Sequence, residues 1–315
     1  MRPVGFDEYL EFVRSRGEVV VEGNRIRLEP IEVRRLEPQE DELTDISTTV
    51  WSFPKRGSWA THKGDYRGNW PPQMARALIL MYTKPGDTVL DPMVGSGTTC
   101  IEAKLLGRNC VAVDISYDAV MLTLHRLYYL EKALERGGGP EEARRARVVV
   151  FHGDARNLDR VPSGSVDLVA THPPYWSIIR YGRDRVGGEL SGARSLEDYL
   201  RMLRDVARES FRVLKPGGHM GILIGDTRMR RHYVPITHYA LQVLLDTGFI
   251  LREEVIKIQH RMKTTREVWS RFSRKGRDFL LIYHEKLFIL RKPEDSSEVA
   301  KYRYSAKPKF LELKL

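Results

Sequence analysis

The sequence predicts an α/β fold in which a seven-stranded, mostly parallel and doubly wound sheet ends in an antiparallel strand. Strand-like apolar runs alternate with helix-like repeats from Trp70 onward, and a glycine-rich turn joins the first strand to its helix. A basic stretch rather than a convincing helix joins the last two strands. The 315 residues, 42% of them hydrophobic, suffice for one large domain with a buried core.

Strands are predicted where short runs of aliphatic and β-branched residues end at turn signals. They lie at residues 88–90, 110–113, 147–152, 166–170, 220–224, 249–258 and 279–290. Helices are predicted where apolar residues recur every three or four positions, several of them with a glycine just past the helix end. They lie at residues 73–82, 98–106, 117–135, 196–214 and 236–246.

Three regions are expected along the chain. Residues 1–60 form an irregular, charged extension with one short helix at 6–13, residues 61–293 form the main domain, and residues 294–315 form a tail. The N-terminal extension is expected to pack on or near the site.

Composition restricts the partners and the compartment. The net charge of +10 suits a polyanionic partner, although a basic protein without such a partner explains it equally well. The two cysteines, Cys100 and Cys110, stand in apolar segments and are expected to be core residues in a reducing compartment. No window approaches the ~18 apolar residues of a membrane span, which predicts a cytoplasmic protein without membrane contact. The excess of Arg over Lys and the few amide residues indicate a thermophile.

A nucleoside site is predicted at three successive strand ends. The glycine-rich turn at 91–98 lets backbone amides approach a ligand, and the helix start behind it favours anionic groups. Asp114 ends the second strand, where a carboxylate can accept both ribose hydroxyls, and Asp154 follows the third, near the adenine amino group. The residues that carry this prediction are Asp91, Gly95, Gly97, Thr98, Asp114 and Asp154.

Two other interpretations of the glycine turn stay open. A nicotinamide dinucleotide site would need a further glycine where Cys100 stands, and Thr98 and Thr99 suit a carboxylate better than a pyrophosphate. A purely structural turn would not need acidic residues at successive strand ends.

Directly after the fourth strand stand Thr171, His172, Pro173, Pro174, Tyr175 and Trp176. Here the chain resembles the S-adenosylmethionine-dependent amino-methyltransferases of nucleic-acid bases, the DNA methylase N4/N6 family, in which Asp, Asn or Ser precedes Pro-Pro and an aromatic residue. The resemblance covers about residues 47 to 293, including segments 68–72, 214–218 and 225–228. It implies a Rossmann-like class I methyltransferase fold, S-adenosylmethionine as cofactor, and methylation of an exocyclic amino nitrogen.

The resemblance also implies roles for these residues. An exocyclic amino group is a poor nucleophile, so two rigid acceptors must bind its N–H groups. His172 and the Pro173 carbonyl take that place, Tyr175 stacks on a base flipped out of its helix, and Trp176 is a candidate second stacking surface. Trp70 is also expected to bind the cofactor. His172 departs from the family pattern. Because only a neutral imidazole can accept a hydrogen bond, activity is expected to fall as the pH drops through the His pKa, which is ~6.5 for an unperturbed ring.

Basic segments follow three strands whose carboxyl ends meet at one edge of the predicted sheet. They lie at 180–185, 228–232 and 261–277, with Arg180 and Arg228 as candidate substrate contacts. Solvated loops explain any one of them, whereas three together favour a phosphate backbone.

The substrate remains open between nucleic acids. The resemblance favours DNA, which the loops would then have to read. No recognition domain is inserted between Asp154 and Thr171, and structured RNA such as ribosomal RNA, recognised by shape, is the alternative that needs none. Cytosine N4 is favoured as the target and adenine N6 is the alternative. A small-molecule methyltransferase and a catalytically inactive nucleic-acid-binding module are the remaining hypotheses. No metal site is predicted, and the oligomeric state is not indicated.

Overall fold

A mixed sheet of nine strands organises the part of the chain that the structure, a computed structural model, describes. The described residues are 1–21, 23–42, 46–66, 68–176, 188–260 and 278–307. In chain order the strands are β1 (Arg2–Val4), β2 (Glu18–Val21), β3 (Asn24–Arg27), β4 (Val50–Ser52), β5 (Thr88–Asp91), β6 (Asn109–Asp114), β7 (Val148–His152), β8 (Val166–Thr171), β9 (Leu214–Ile224), β10 (Thr227–Met229), β11 (His232–Val234), β12 (Ile250–Ile258) and β13 (His284–Arg291).

The order of strands in the main sheet is β1-β7-β6-β5-β8-β9-β13-β12-β4, while β2–β3 and β10–β11 form separate hairpins. Strands β5 to β9 of this sheet run parallel, and β13 runs antiparallel to both of its neighbours, β9 and β12. The predicted α/β class with an antiparallel last strand is therefore confirmed.

Helices cover both faces of the sheet. They are α1 (Phe6–Ser15), α2 (Pro72–Tyr82), α3 (Thr98–Leu105), α4 (Tyr117–Glu135), α5 (Glu141–Arg145), α6 (Leu196–Val213), α7 (Ile236–Asp246) and α8 (Ser296–Lys301). Short 3-10 turns stand at Glu40–Glu42 and Leu190–Gly192. Successive strand residues alternate between two apolar clusters, one packed on α2, α3 and α4 and the other on α6 and α7. No helix within the described ranges has the length and apolar composition of a membrane span.

The N-terminal region differs from the expected irregular extension. Arg2–Val4 pairs antiparallel with β7 at one edge of the sheet, and Val50–Ser52 pairs parallel with β12 at the other, which raises the predicted seven strands to nine. Strands of three residues are too short to show an alternating pattern, so the sequence signal for them is weak. The last strand also begins at His284 rather than residue 279, and β9 begins at Leu214 rather than residue 220.

The region is fastened to the main domain by buried polar contacts. Glu102 on α3 is fully buried and accepts hydrogen bonds from Trp59 Nε1 at 2.7 Å, from Arg76 Nη1 at 3.1 Å and from His62 Nε2 at 2.7 Å. A carboxylate taken out of water is stable only when its oxygens are satisfied in this way. Glu102 therefore links the segment that carries Trp59 and His62 to α2 and α3.

The two cysteines require a correction. Both are buried, as expected, but they form a disulfide between α3 and β6, so the expectation of unpaired core thiols was wrong. The reason is the packing of α3 on β6, which brings the two Cα atoms to 5.5 Å, within the usual range for a bridge. Sequence spacing alone does not show this approach.

We expect Glu102→Ala to lower the free energy of unfolding by about 3 kcal/mol, because it leaves two buried donors, on Trp59 and His62, without their acceptor and leaves Arg76 with Glu37 alone. Chemical denaturation measures the change. Glu141→Ala, which removes an exposed ion pair with Arg145, is the control and changes stability by less than about 0.5 kcal/mol. A loss at Glu102 as small as that of the control would contradict this role.

Candidate functional site

A buried carboxylate, Asp91, organises the carboxyl edge of the sheet. Its Oδ2 accepts the Thr99 hydroxyl of α3 at 2.5 Å, and its Oδ1 accepts the Thr171 hydroxyl at the end of β8 at 2.9 Å. Burial raises the pKa of Asp91 to about 6, against the effect of these hydrogen bonds. Asp91 thus joins the glycine turn to the start of the segment 171–176.

The glycine turn needs its glycines. Gly95 and Gly97 have φ values of +55° and +85°, which side chains rarely adopt. A Cβ on Gly95 would lie 3.1 Å from the Tyr66 ring, and one on Gly97 would lie 3.2 Å from Thr123 Cγ2. The turn is therefore closely packed on both sides, and only glycine fits at these two positions.

A buried arginine on α4 contacts the backbone of the glycine turn. Arg126 of α4 is fully buried, donates to the Ser96 carbonyl at 3.1 Å and pairs with Asp65. Asn69 donates to Ser96 Oγ at 3.0 Å from the opposite side. The turn is consequently fixed before any ligand binds, which reduces the entropy lost on binding.

Asp114 lies at the end of β6 with its carboxylate against the turn. The Gly95 amide donates to one oxygen at 2.8 Å and the Ser116 amide to the other at 2.9 Å. Burial raises the pKa of Asp114 to about 7. Each oxygen keeps a lone pair, so the ionised group can accept the two hydroxyls of a ribose.

Thr98 stands at the first position of α3 with an unsatisfied hydroxyl. Its Oγ1 is buried and has no hydrogen-bond partner among the described residues. A helix N-terminus favours anions, so the hydroxyl and the amides of this turn suit a ligand carboxylate. The orphaned hydroxyl and the glycine turn therefore fit the amino-acid end of S-adenosylmethionine.

Asp154 has an arginine partner that the sequence does not indicate, and its side chain stays partly exposed. Arg156 binds its carboxylate through Nη2 at 2.5 Å and Nε at 2.9 Å, and this partner keeps the pKa of Asp154 low although burial opposes it. Arg156 also approaches Gly188, where a Cβ would lie 3.1 Å from Nη2 and 3.2 Å from Ile115 Cδ1. A cavity of about 460 Å³ opens beside Arg156. Its lining includes Arg156 and Gly188 together with Asp198 and Met202 of α6.

The segment 171–176 contains a chain of polar contacts that runs across the sheet. His172 Nε2 lies 2.7 Å from the Tyr175 hydroxyl, which donates to Glu285 Oε1 at 2.5 Å, and Lys257 Nζ donates to Glu285 Oε2 at 2.7 Å. We name this set the His172–Lys257 relay. Sequence reasoning missed Glu285 and Lys257, although a charged residue next to the apolar run of the last strand was a signal.

The relay is packed tightly around the Tyr175 ring. A Cβ on Gly225 would lie only 2.9 Å from this ring, so glycine is needed where β9 ends. Trp70 stacks on His172 with ring centroids 6.2 Å apart and an interplanar angle of 26°, and Pro173 is buried. Trp70, expected at the cofactor, therefore touches the histidine that is expected to face the base.

A small cavity adjoins the relay at the ends of β4 and β12. It measures about 190 Å³ and includes Asn69 and Pro71, which flank Trp70, together with Lys257 of the relay. Trp176 does not reach this space, because it is 9% exposed and packs in the apolar cluster beneath α6.

Of the predicted basic segments, the structure describes one. Arg228 on β10 donates to the Leu280 carbonyl at 3.0 Å and lies over the Tyr233 and Phe279 rings, so its guanidinium holds residues 279–280 to the hairpin. Arg180 and the segments 180–185 and 261–277 lie outside the described residues.

The expected pH response of His172 needs a correction. Burial lowers the pKa of His172 to about 4, although the Glu285 carboxylate opposes this, so the ring stays neutral well below the ordinary value near ~6.5. In the described ranges no group of three or more His, Cys, Asp or Glu is arranged to hold a metal ion.

Comparison with known proteins identifies related families. A family model described as DNA methylase, for N6 and N4 methyltransferases, matches residues 6–124 and 166–312. The type II methyltransferase M.SmaI of Serratia marcescens is 35% identical over 93 residues, which are 29% of this chain and 30% of that protein. The tRNA (guanine(10)-N2)-dimethyltransferase of Methanothermobacter thermautotrophicus is 29% identical over 201 residues, 63% of this chain and 48% of that protein.

Solved structures show similar arrangements. TrmN from Thermus thermophilus matches with a TM-score of 0.41 and 23% identity over 72% of this chain and 50% of that one.

The chain spans about a third or less of the length of the curated DNA methyltransferases that it matches. For M.SmaI, the match covers 30% of that protein.

The pKa of Asp114 predicts how cofactor binding depends on pH. Ribose hydroxyls donate to the ionised carboxylate, so raising the pH through about 7 favours binding, and the Kd for S-adenosylmethionine should fall about tenfold from about pH 6 to about pH 8. Isothermal titration calorimetry measures it. Asp114→Asn, the control, should bind more weakly and lose this dependence, and an equally steep profile in that variant would refute the assignment.

Proposed function

The chain belongs to the DNA methylase family of N6 and N4 amino-methyltransferases, and from this we propose that it methylates cytosine N4 in a nucleic acid, with DNA favoured. The enzyme is a methyltransferase, and S-adenosylmethionine is its expected cofactor. The observation that supports the base-modifying role most is the attachment of the segment 171–176 to the glycine turn through Asp91.

In this proposal the two reacting groups meet at one edge of the sheet. Asp91 contacts Thr99, which follows the glycine turn, and Thr171, which directly precedes His172. When bound, S-adenosylmethionine supplies an electrophilic methyl group whose C–S electron pair leaves with sulfur. The protein's own contribution is to hold the acceptors His172 and the Pro173 carbonyl at fixed positions, and such positioning supplies much of the rate enhancement in transfer reactions.

Residues on both sides of the turn hold the cofactor in this proposal. The Thr98 hydroxyl and the turn amides bind the carboxylate, Asp114 binds the ribose, and Ile115 with the Asp154–Arg156 pair borders the adenine. The aromatic ring of Tyr175 borders the base, while Trp176 lies in the core and does not stack on it.

A rigid basic hairpin supports a nucleic-acid partner. Arg230 and Arg231 form the turn between β10 and β11 with φ values of +48° and +74°, a conformation that favours Gly or Asn. Both arginines are exposed, and their positive φ values mark a strained backbone. Their guanidinium groups are suited to contact phosphates. Arg228 stacks beneath them and fixes the hairpin.

RNA is the second candidate substrate. Of the relatives reported above, the one matched over the greatest length is named as a tRNA methyltransferase, whereas the match to M.SmaI is shorter. Structured RNA is recognised by shape, which needs no separate sequence reader. Adenine N6 remains an alternative target, since a DNA adenine methyltransferase of Escherichia coli is 30% identical over 97 residues.

The deciding experiment incubates the protein with tritiated S-adenosylmethionine and duplex DNA, single-stranded DNA or unmodified ribosomal subunits. Label in N4-methyldeoxycytidine supports the proposal, label in N4-methylcytidine selects RNA, and label in N6-methyldeoxyadenosine corrects the base. No label in any nucleic acid would overturn the proposed function.

The matched variant is His172→Ala, which removes one acceptor of the amino group. We expect labelling to fall by about a hundredfold or more, with S-adenosylmethionine binding retained. Binding is measured separately by calorimetry. Unchanged labelling would show that His172 does not contact the reacting group.

The low pKa of His172 predicts an unusual pH profile. At saturating cofactor, protonation of His172 should lower the single-turnover rate only near pH 4, whereas protonation of Asp91, with a pKa of about 6, accounts for a decline at higher pH. Rapid-quench measurements of methyl transfer in the parent and in His172→Asn test this. A decline near pH 6.5 in the parent that is absent from the variant would show that the ring is not buried in the working enzyme.

A further inference from the structure

An exposed leucine stands beside the basic hairpin β10–β11. The Leu280 side chain is 81% exposed, against 52% for Val50 and 51% for Leu80, the next most exposed aliphatic side chains among the described residues. A single exposed leucine is common on protein surfaces and needs no special explanation by itself. Leu280 differs because the contacts around it hold its backbone in one position.

Contacts with the hairpin hold the chain around Leu280 in place. Arg228 donates from Nε to the Leu280 carbonyl at 3.0 Å. The Phe279 ring is contacted by two guanidinium groups, Arg228 at 5.4 Å and Arg231 at 5.8 Å. Asp278 also lies 3.7 Å from Arg231 as an ion pair. The backbone of Leu280 is therefore anchored while its side chain extends into solvent.

The hairpin is fixed in turn at its base. Asp226, which follows β9, accepts the Tyr233 hydroxyl at 2.5 Å. It also accepts the Thr237 amide at 2.8 Å and the Thr237 hydroxyl at 2.9 Å, which joins the hairpin to the start of α7. Arg228 lies over the Tyr233 ring at 5.5 Å. Leu280 therefore stands on a support that is tied to the main domain.

Both chain segments of this support lead directly to Tyr175. Gly225, three residues before Arg228, adjoins the Tyr175 ring, since a Cβ there would lie 2.9 Å from it. Glu285, five residues after Leu280, accepts the Tyr175 hydroxyl at 2.5 Å. Five residues span at most about 18 Å. Leu280 therefore stands close to the segment that is proposed to receive the base.

An apolar side chain surrounded by cations matches the surface of a nucleic-acid helix. Arg230 and Arg231 are exposed in the hairpin turn, where their guanidinium groups are available to phosphates. The faces of the stacked bases are apolar, and a leucine can enter between two of them. A base that rotates out of the helix to be modified leaves a gap in the stack. The side chain of Leu280 has the chemistry to fill such a gap.

We propose that Leu280 is a wedge that enters the base stack of the nucleic acid and fills the gap left by the target base, while Arg230 and Arg231 bind the flanking phosphates. This inference rests on the proposed function, because it names the residue that opens the substrate for the same site. Leu280 is a positioning residue and does not touch the reacting atoms. Its contact with the neighbouring bases offsets part of the stacking that the target base loses.

A binding experiment tests the wedge without methyl transfer. Fluorescence anisotropy measures the Kd of the full chain for an intact duplex and for the same duplex with one abasic site, each made as DNA and as RNA. Because an abasic site already contains the gap, we expect a Kd about tenfold lower for the abasic duplex in at least one polymer. Equal Kd values within both pairs would overturn the proposal.

Variants of the wedge identify the side chain responsible. Leu280→Ala removes it and should reduce the preference for the abasic duplex to about twofold or less, while Leu280→Phe should retain most of the preference. Leu80→Ala, at an exposed leucine of α2, is the matched control and should keep the full preference. Both leucines are exposed, so their alanine variants are expected to fold as the parent does. A preference that survives in Leu280→Ala would refute the wedge.

Methyl transfer gives a second readout that depends on the proposed function. In Leu280→Ala the single-turnover rate should fall about tenfold on a base-paired substrate and stay within about threefold on a single strand, in which no duplex has to be opened. Equal losses on both substrates would overturn the positioning role. Absence of transfer to every nucleic acid, with the abasic preference still dependent on Leu280, would instead overturn the proposed function and support the wedge contact.

A second copy of this chain is the other partner that an exposed leucine suits. Gel filtration of the parent and of Leu280→Ala separates the two possibilities. We expect both proteins to elute at the same volume. A larger parent species that Leu280→Ala converts to a smaller one would show that Leu280 lies in an interface between copies, and it would overturn the wedge.

Discussion

The hydrogen bonds of Asp91 are the interaction on which the site depends most. One carboxylate accepts two hydroxyls, one from helix α3, which follows the glycine turn, and one from the end of the strand that leads to His172. Burial makes these bonds strong, because the carboxylate has no water to replace a lost partner. The distance between the nucleoside site and the candidate base site is thereby set within the core rather than by the surface loops.

Around Asp91, buried charged side chains join several pairs of neighbouring segments. Arg126 holds the turn, Glu102 holds the N-terminal segment, and Lys257 with Glu285 joins β12 to β13 beneath Tyr175. Each group is satisfied by more than one partner or by a counter-ion, which a buried charge requires. The arrangement favours a single geometry over maximal stability.

Local sequence patterns predicted much of this structure, but they did not predict the contacts between residues that are distant in sequence. The parallel strands, the glycine turn and Asp114 follow from periodicity and from residue types at strand ends. The Arg156 partner of Asp154, the Glu285 partner of Tyr175 and the core position of Trp176 depend on packing between segments far apart in sequence. The pKa of His172 likewise depends on burial, which no sequence pattern around the residue reports.

The pairing of the N-terminal segment has a consequence for the order of folding. The strand Val50–Ser52 is made long before its partner in the sheet, Ile256–Ile258. Contacts between residues so distant in sequence form slowly, since the loop entropy must be lost first. The segment must therefore remain unpaired during synthesis until β12 has been made, and its pairing then completes the sheet edge beside the cavity that Lys257 and His260 line.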